Sequence, residues 1–184
     1  MREVFETERL RLRPLAMSDA AAVARLAGDP DVARMILRAP LPYLEVAAEG
    51  WIMTLKARAP LGEDFVRAVE QEGEGLVGVI GAHARGDGGF EVGYWFGRPY
   101  WGRGYATEAL NSFLIDARQL GALGAGHFVD NPASGRVLEK NGFVYTGDTE
   151  WLFSLGRGAR AQCRRMRYRG DRLRAGVGET AAAN

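Results

Sequence analysis

The sequence predicts a single α/β domain. Three observations carry that prediction: short strand-like runs divided by Glu-Gly and Asp-Gly pairs between 65 and 96, a helical apolar period from Gly104 to Leu120, and a short punctuated helix from Asn131 to Asn141. At 184 residues the chain suits one domain, which at this length buries roughly 70% of the surface its unfolded form exposes and needs no covalent staple. The domain is expected to occupy 1–170, leaving 171–184 as a tail with nothing to bury.

Taken in order, Leu10-Arg11-Leu12-Arg13 alternates apolar and charged residues and stops at Pro14, the pattern of a half-buried strand that ends in a turn. Ser18 is expected to cap a helix through about Leu26, and Pro42 to open a second one running to about Arg58. Phe65–Glu70, Leu76–Gly81 and Phe90–Phe96 read as an antiparallel meander. Ala106, Ala109, Leu110, Phe113, Leu114 and Ala117 then recur at three and four, which marks a helix with one buried face. Gly-rich residues 121–126 lead to Phe128-Val129. Asn131 caps the next helix, Pro132 suits its first position, and Asn141-Gly142 ends it. Trp151–Phe153 and Cys163–Tyr168 read as a last strand pair.

Composition excludes several kinds of chemistry. Cys163 is the only cysteine, and His83 and His127 are far apart in sequence, so neither a disulfide framework nor a metal-ligand spacing can be assembled. The N-terminal residues are charged, and the best apolar run, Leu76–Ala82, cannot cross a bilayer, which predicts a cytoplasmic protein without a membrane partner. The formal net charge of +1 hides a basic end: Arg157, Arg160, Arg164, Arg165, Arg167, Arg169, Arg172 and Arg174. Lys56 and Lys140 are the only lysines, so arginine is the default cation, and the basic end lacks interleaved aromatics. Specific nucleic-acid binding is therefore not expected.

Three features bear on chemistry. Gly102 and Gly104 precede the long helix, whose first N–H groups are unbonded and carry about half a positive charge, a setting suited to a diphosphate. The segment lacks the Lys-Ser/Thr ending of a P-loop and the third glycine of the dinucleotide fingerprint. Ser134 shares a helix face with Val137 and Leu138, so its hydroxyl either points inward to donate a proton or merely satisfies a first-turn backbone group. Glu91 alternates with Val92 and so lies on the opposite face of its strand, either as an inward base or as a solvated glutamate.

Glu91-Val-Gly-Tyr-Trp-Phe, Tyr100-Trp-Gly-Arg-Gly-Tyr-Ala-Thr-Glu-Ala109 and Asn131-Pro-Ala-Ser-Gly-Arg-Val-Leu-Glu-Lys-Asn-Gly-Phe143 resemble the GNAT N-acetyltransferases, specifically the branch similar to ribosomal-protein N-terminal acetyltransferases. The opening Thr7-Glu-Arg-Leu-Arg-Leu-Arg-Pro-Leu15 is similar to that branch too. The resemblance implies a GNAT fold: a mixed, largely antiparallel sheet of six to seven strands, splayed at its centre and flanked by about four helices. It implies acetyl-CoA as cosubstrate and no metal. The loop from Trp101 through Gly102, Arg103, Gly104, Tyr105 and Ala106 to Thr107 would bind the pyrophosphate through its amides. Phe96 and Asn131 would hold the pantetheine arm, and Ser134 and Arg136 complete the cofactor set. By the same resemblance, Ser134 would protonate the departing thiolate and Glu91 would accept the amine proton through water.

The implied activity is transfer of acetyl to a primary amine, a peptide N-terminus or a small molecule, in a ternary complex, by a monomer or homodimer. A non-catalytic acyl-CoA sensor is the alternative. Acceptor choice is expected to rest on residues between Ala27 and Ala59 and around Trp151, where Tyr43, Trp51 and Trp151 either line an apolar slot or fill core.

Overall fold

In a computed structural model, which describes residues 3–170, the chain runs β1 (Phe5–Glu6), β2 (Leu10–Arg13), α1 (Ala20–Ala27), α2 (Pro30–Ala33), α3 (Glu45–Arg58), β3 (Asp64–Gln71), β4 (Gly75–Ala84), β5 (Phe90–Phe96), α4 (Tyr105–Ala117), β6 (Leu123–Phe128), α5 (Pro132–Lys140), β7 (Phe143–Ser154) and β8 (Ala159–Tyr168). The tail expected over 171–184 lies outside the described residues. The strands form one eight-stranded sheet in the order β1-β2-β3-β4-β5-β6-β8-β7. Every neighbouring pair is antiparallel except β5 and β6. This is the expected α/β GNAT architecture, with one short strand and one short helix beyond those the sequence pattern marks.

The centre of the sheet carries the feature that matters for function. β5 pairs with β6 only through Phe90↔Leu123, Glu91↔Gly124 and Val92↔Ala125, although β5 continues to Phe96 and β6 to Phe128. Past Val92 the two strands diverge: β5 keeps its ladder with β4 as far as Phe96↔Gly78, while β6 turns to pair with β8. Gly93 lies exposed at the start of this opening, with nothing near the position a Cβ would take.

Burial fixes the layers around this opening. β4 is buried over seven successive residues, so both of its faces are covered, which is why its sequence reads as a continuous apolar run rather than an alternation. α1 and α3 pack on each other, α1 also on β4 and β5 and α3 on β3; α4 meets β1, β2, β4 and β5. Ile80, Ile52, Leu110, Phe113 and Val23 are fully buried between these layers, each contributing roughly 1.5–3 kcal/mol by leaving water.

Two helix starts differ from the pattern reading. Ser18 does not cap the first helix; the Asp19 carboxylate accepts the Ala16 N–H at 2.8 Å and pairs with Arg13 at 2.7 and 2.8 Å. The chain already turns as a short 3-10 helix over Met17–Asp19, so Ser18 lies inside that turn and not at the start of α1, which has no side-chain cap. Pro42 does not open α3, which begins at Glu45 after an extended Leu44. Tyr43 packs against the core beside Gly28, and this holds the chain extended past the proline. The last strand pair is also longer than its apolar cores, because β7 carries a mostly exposed stretch from Tyr145 to Trp151 that hydrophobicity does not mark.

Candidate active site

The loop after β5 is shaped by backbone. Gly102 and Gly104 sit at φ of 74° and 81°, the left-handed region where any other residue costs about 1–2 kcal/mol. Gly104 is the residue before α4 and offers no side chain, so the first-turn N–H groups of Tyr105, Ala106 and Thr107, which have no acceptor inside the helix, face an uncrowded loop. Trp101 to Gly104 are exposed. The Trp101 indole N–H donates to the Phe96 carbonyl at 2.7 Å, tying the loop to the end of β5.

A second tether comes from the N-terminus. Arg9 donates to the Arg103 carbonyl at 3.0 Å, pairs with Glu108 at 2.8 and 2.6 Å, and lies over the Tyr105 ring. The Thr7 hydroxyl donates to the same Glu108 carboxylate at 2.6 Å. Burial would raise the Glu108 pKa, but Thr7 and Arg9 together hold it below the usual carboxylate range. The acid that the sequence puts in the first turn of α4 is thus neutralised by Arg9 beside the free amides. An open groove of about 590 Å³ runs from Gly104 and Thr107 along the exposed side of α4 to Lys140.

α5 presents the second expected segment. Asn131 caps it, its side-chain oxygen accepting the Ser134 N–H at 3.2 Å, which leaves the carboxamide N–H groups as donors. The Ser134 hydroxyl lies 3.0 Å from that of Tyr94 on β5, and Tyr94 also donates to the Ser134 carbonyl at 3.0 Å. Burial pushes the Tyr94 phenol far above its usual value, so it stays protonated at neutral pH. Gly135 is required next: a Cβ there would sit 2.6 Å from the Tyr145 hydroxyl and 2.7 Å from His127 Nε2.

Glu91 faces the other side of β5, three positions from Tyr94 and therefore on the opposite face. It is neither free nor fully solvated. Arg165 on β8 grips it with two hydrogen bonds of 2.9 and 2.7 Å, and Arg85 approaches to 3.7 Å. Burial alone would lower the Arg165 pKa; Glu91 more than offsets that and raises it. Glu91, Arg165 and Cys163 line a small cleft of about 70 Å³ closed by Met35, Leu37 and Leu152. The segment bearing Met35 and Leu37 is held by the β7–β8 hairpin: Ser154 donates to the Ile36 carbonyl at 2.8 Å and Leu155 to the Leu37 carbonyl at 3.0 Å. Arg157 bonds both Asp130, at 2.9 and 2.8 Å, and the Arg34 carbonyl, at 2.6 Å.

The structure therefore places Phe96, Trp101, Gly102, Arg103, Gly104, Tyr105, Ala106 and Thr107 in one continuous loop and helix start, Asn131 and Ser134 on the Tyr94 face, and Glu91 on the other. Arg136 is exposed on α5, and no contact joins it to this group. Tyr43 and Trp51 pack against the core, while Trp151 is exposed and not among the cleft residues. Tyr94, Arg165 and the Arg9–Glu108 clamp have no site role in the sequence reading. Only Tyr94 carried a signal, its alternation with Val92 and Phe96. Among the described residues no group of three His, Cys, Asp or Glu side chains is arranged to hold a metal, and no helix is long and apolar enough to cross a membrane.

Comparisons with known proteins identify the family. Residues 9–144 match the family model described as an acetyltransferase (GNAT) domain. The chain is 31% identical over 150 residues to the uncharacterized N-acetyltransferase YoaA of Bacillus subtilis (strain 168), covering 78% of this chain and 84% of that one. Among solved structures it resembles RimJ of Mycobacterium smegmatis in complex with CoA-disulfide, with a TM-score of 0.76, 25% identity, and coverage of 89% of this chain and 83% of that chain. The microcin C7 self-immunity acetyltransferase MccE, solved with acetyl-CoA and AMP, shares the fold at a TM-score of 0.75 and 15% identity, over 88% of this chain and 92% of that chain. With a family match over most of its length, the chain belongs to the GNAT acetyltransferase family.

Proposed function

We propose that the protein transfers acetyl from acetyl-CoA to a primary amine by direct attack in a ternary complex. The observation that carries this reading is the opening between β5 and β6 past Val92, which has the free first-turn amides of α4 at one end and the Glu91 cleft on its far face. In this reading the pyrophosphate lies on the amides of Arg103 to Thr107, and the pantetheine arm enters the seam beside Phe96 and Asn131. The Phe96 carbonyl accepts from Trp101 with one lone pair and keeps the second for the arm. RimJ and MccE were solved with CoA-disulfide and acetyl-CoA respectively, which supports acetyl-CoA as the cosubstrate.

Glu91 takes the amine proton through a water as the C–N bond forms and the C–S bond breaks. Ser134 gives the departing sulfur its proton, with the Tyr94 hydroxyl at 3.0 Å behind it. How much the base contributes depends on the acceptor. An α-amino group of pKa about 7.7–8.0 is already roughly 10–20% neutral at pH 7, whereas a lysine at about 10.4 is neutral in under one molecule per thousand. The resemblance of the motifs to ribosomal-protein N-terminal acetyltransferases favours a peptide N-terminus or a comparably weak amine over lysine, and the small cleft favours a slim amine-bearing end.

Calorimetry with acetyl-CoA and a thiol-release assay against peptides, amino acids and polyamines test the proposal together. Binding with release in the presence of one acceptor class is expected. Binding without release from any acceptor indicates a sensor module, and no binding by folded protein overturns the cosubstrate assignment.

A further inference from the structure

We propose that Arg165 is a positioning residue for the reaction, fixing the Glu91 carboxylate over the acceptor cleft, and that the glycines of β6 exist to let it do so. This rests on the reading of Glu91 as the base.

Arg165 is on β8 and Glu91 on β5, with β6 between them. To join them the guanidinium crosses the face of β6, where Glu91 stands opposite Gly124 and Arg165 opposite Gly126. A Cβ at Gly126 would lie 2.8 Å from Arg165 Nη1 and 2.7 Å from Cys163 Sγ. One at Gly124 would overlap the Arg85 guanidinium and come within 3.1 Å of Glu91 Oε2. The run of glycine that is unusual for a sheet interior, where it weakens a strand, is thus a flat floor under the Glu91–Arg165 pair.

The pairing is also selective. Both terminal nitrogens of Arg165 bond Glu91, one to each oxygen, and Nε lies 3.8 Å from Glu150. Arg85 is committed to Asp87 by bonds of 3.1 and 2.6 Å and reaches Glu91 only at 3.7 Å. His83, the cross-strand neighbour of Glu91 on β4, is turned to Asp64 at 2.6 Å. Among the described residues Arg165 is therefore the cation whose full fork fixes both carboxylate oxygens, a geometry that lysine cannot reproduce. The fork leaves only the outer lone pairs of the carboxylate for a water between it and the incoming amine.

A cycle of Glu91→Gln, Arg165→Gln and the double variant, with Arg165→Lys and Gly126→Ala alongside, tests this using the fastest acceptor of the amine panel. Arg165→Gln is expected to lower kcat about tenfold, the scale of a misplaced reacting group, with acetyl-CoA Kd unchanged. Arg165→Lys recovers part of the loss, Gly126→Ala lowers kcat several-fold with both charges intact, and the double variant is no slower than Glu91→Gln alone. Losses that multiply in the double variant, or an Arg165→Gln enzyme at full kcat, overturn the proposal while leaving Glu91 as base. A Glu91→Gln enzyme at full kcat overturns both, and is recognised by that single variant.

Discussion

The two ends of the seam are built from different materials. The end proposed to hold the cofactor is main chain: two glycines at positive φ, a helix start without a side-chain cap, and exposed amides held from behind by Trp101 and Arg9. The end proposed to receive the acceptor is side chain: Glu91 from β5, Arg165 and Cys163 from β8, Leu152 from β7, and Met35 and Leu37 from the segment after α2. A diphosphate is the same in every reaction of this class, so conformation alone suffices to bind it, and conformation is dictated by residues close together in sequence. An acceptor differs from enzyme to enzyme, and the cleft is assembled from elements as far apart in sequence as Met35 and Arg165, each free to vary.

If that division holds, damage to each end reads out separately. The largest effect is expected from Glu91→Gln, a fall in kcat of about a hundredfold, the ordinary size of a general-base effect, with acetyl-CoA affinity unchanged by calorimetry. A loss under about threefold at pH 7 removes the base assignment. Gly104→Ala is expected to do the reverse. The added Cβ has room, its nearest neighbour being Arg9 Nη2 at 3.4 Å, but φ of 81° does not suit alanine. Relaxation of the loop therefore weakens acetyl-CoA binding by about 5–30-fold, the equivalent of 1–2 kcal/mol, while kcat at saturation changes little. If kcat fell and Kd did not, the two ends would not be separable.

The same contrast explains what could be read from sequence. The glycine loop, the α4 period and the Asn131-Pro132 start of α5 are local patterns, and each appears within a residue or two of its expected place. Ser134 follows from its helix spacing, although its partner Tyr94 is 40 residues away. Arg165 looked like one of many arginines at a basic end; only a fold that brings it 74 residues back to Glu91 gives it a role. Gly124 and Gly126 were visible as an excess of glycine on one strand, but the reason lies in side chains that cross them from two other strands. Pro42 and Ser18 gave correct local chemistry in the wrong place, because Tyr43 packing and the 3-10 turn over Met17–Asp19 outweighed it.

A smaller effect separates the loop from what holds it. Glu108→Gln removes the charge that binds Arg9 and, through Arg9, the Arg103 carbonyl. A fall in Tm of about 3 °C is expected, with a few-fold weaker acetyl-CoA binding of the kind one lost charged hydrogen bond produces. Because the folded-state pKa of Glu108 is depressed, its contribution is complete above the ordinary carboxylate range and is lost as pH falls through the lowered value. The Tm difference between the two proteins should therefore be full at pH 6–8 and close in acid. A difference that persisted undiminished at low pH would mean that shape rather than charge holds the loop.

The smallest effect bears on the reaction class. Cys163 lies in the wall of the cleft proposed for the acceptor, where a thiol invites the reading that acetyl passes through it on the way to the amine. Its surroundings argue otherwise. The side chain is 5% exposed, and burial, outweighing the nearby Arg165, pushes the thiol above its usual value, so the thiolate that a nucleophile requires is scarce at neutral pH. Cys163→Ala is expected to keep kcat within about twofold, well short of the loss that follows removal of a covalent nucleophile, with a Tm lowered by about 2–4 °C for the small void left behind. A fall in kcat comparable to that of Glu91→Gln, together with a burst of free thiol before any amine is added, would replace direct attack with a two-step route and move the chemistry from the carboxylate to the sulfur.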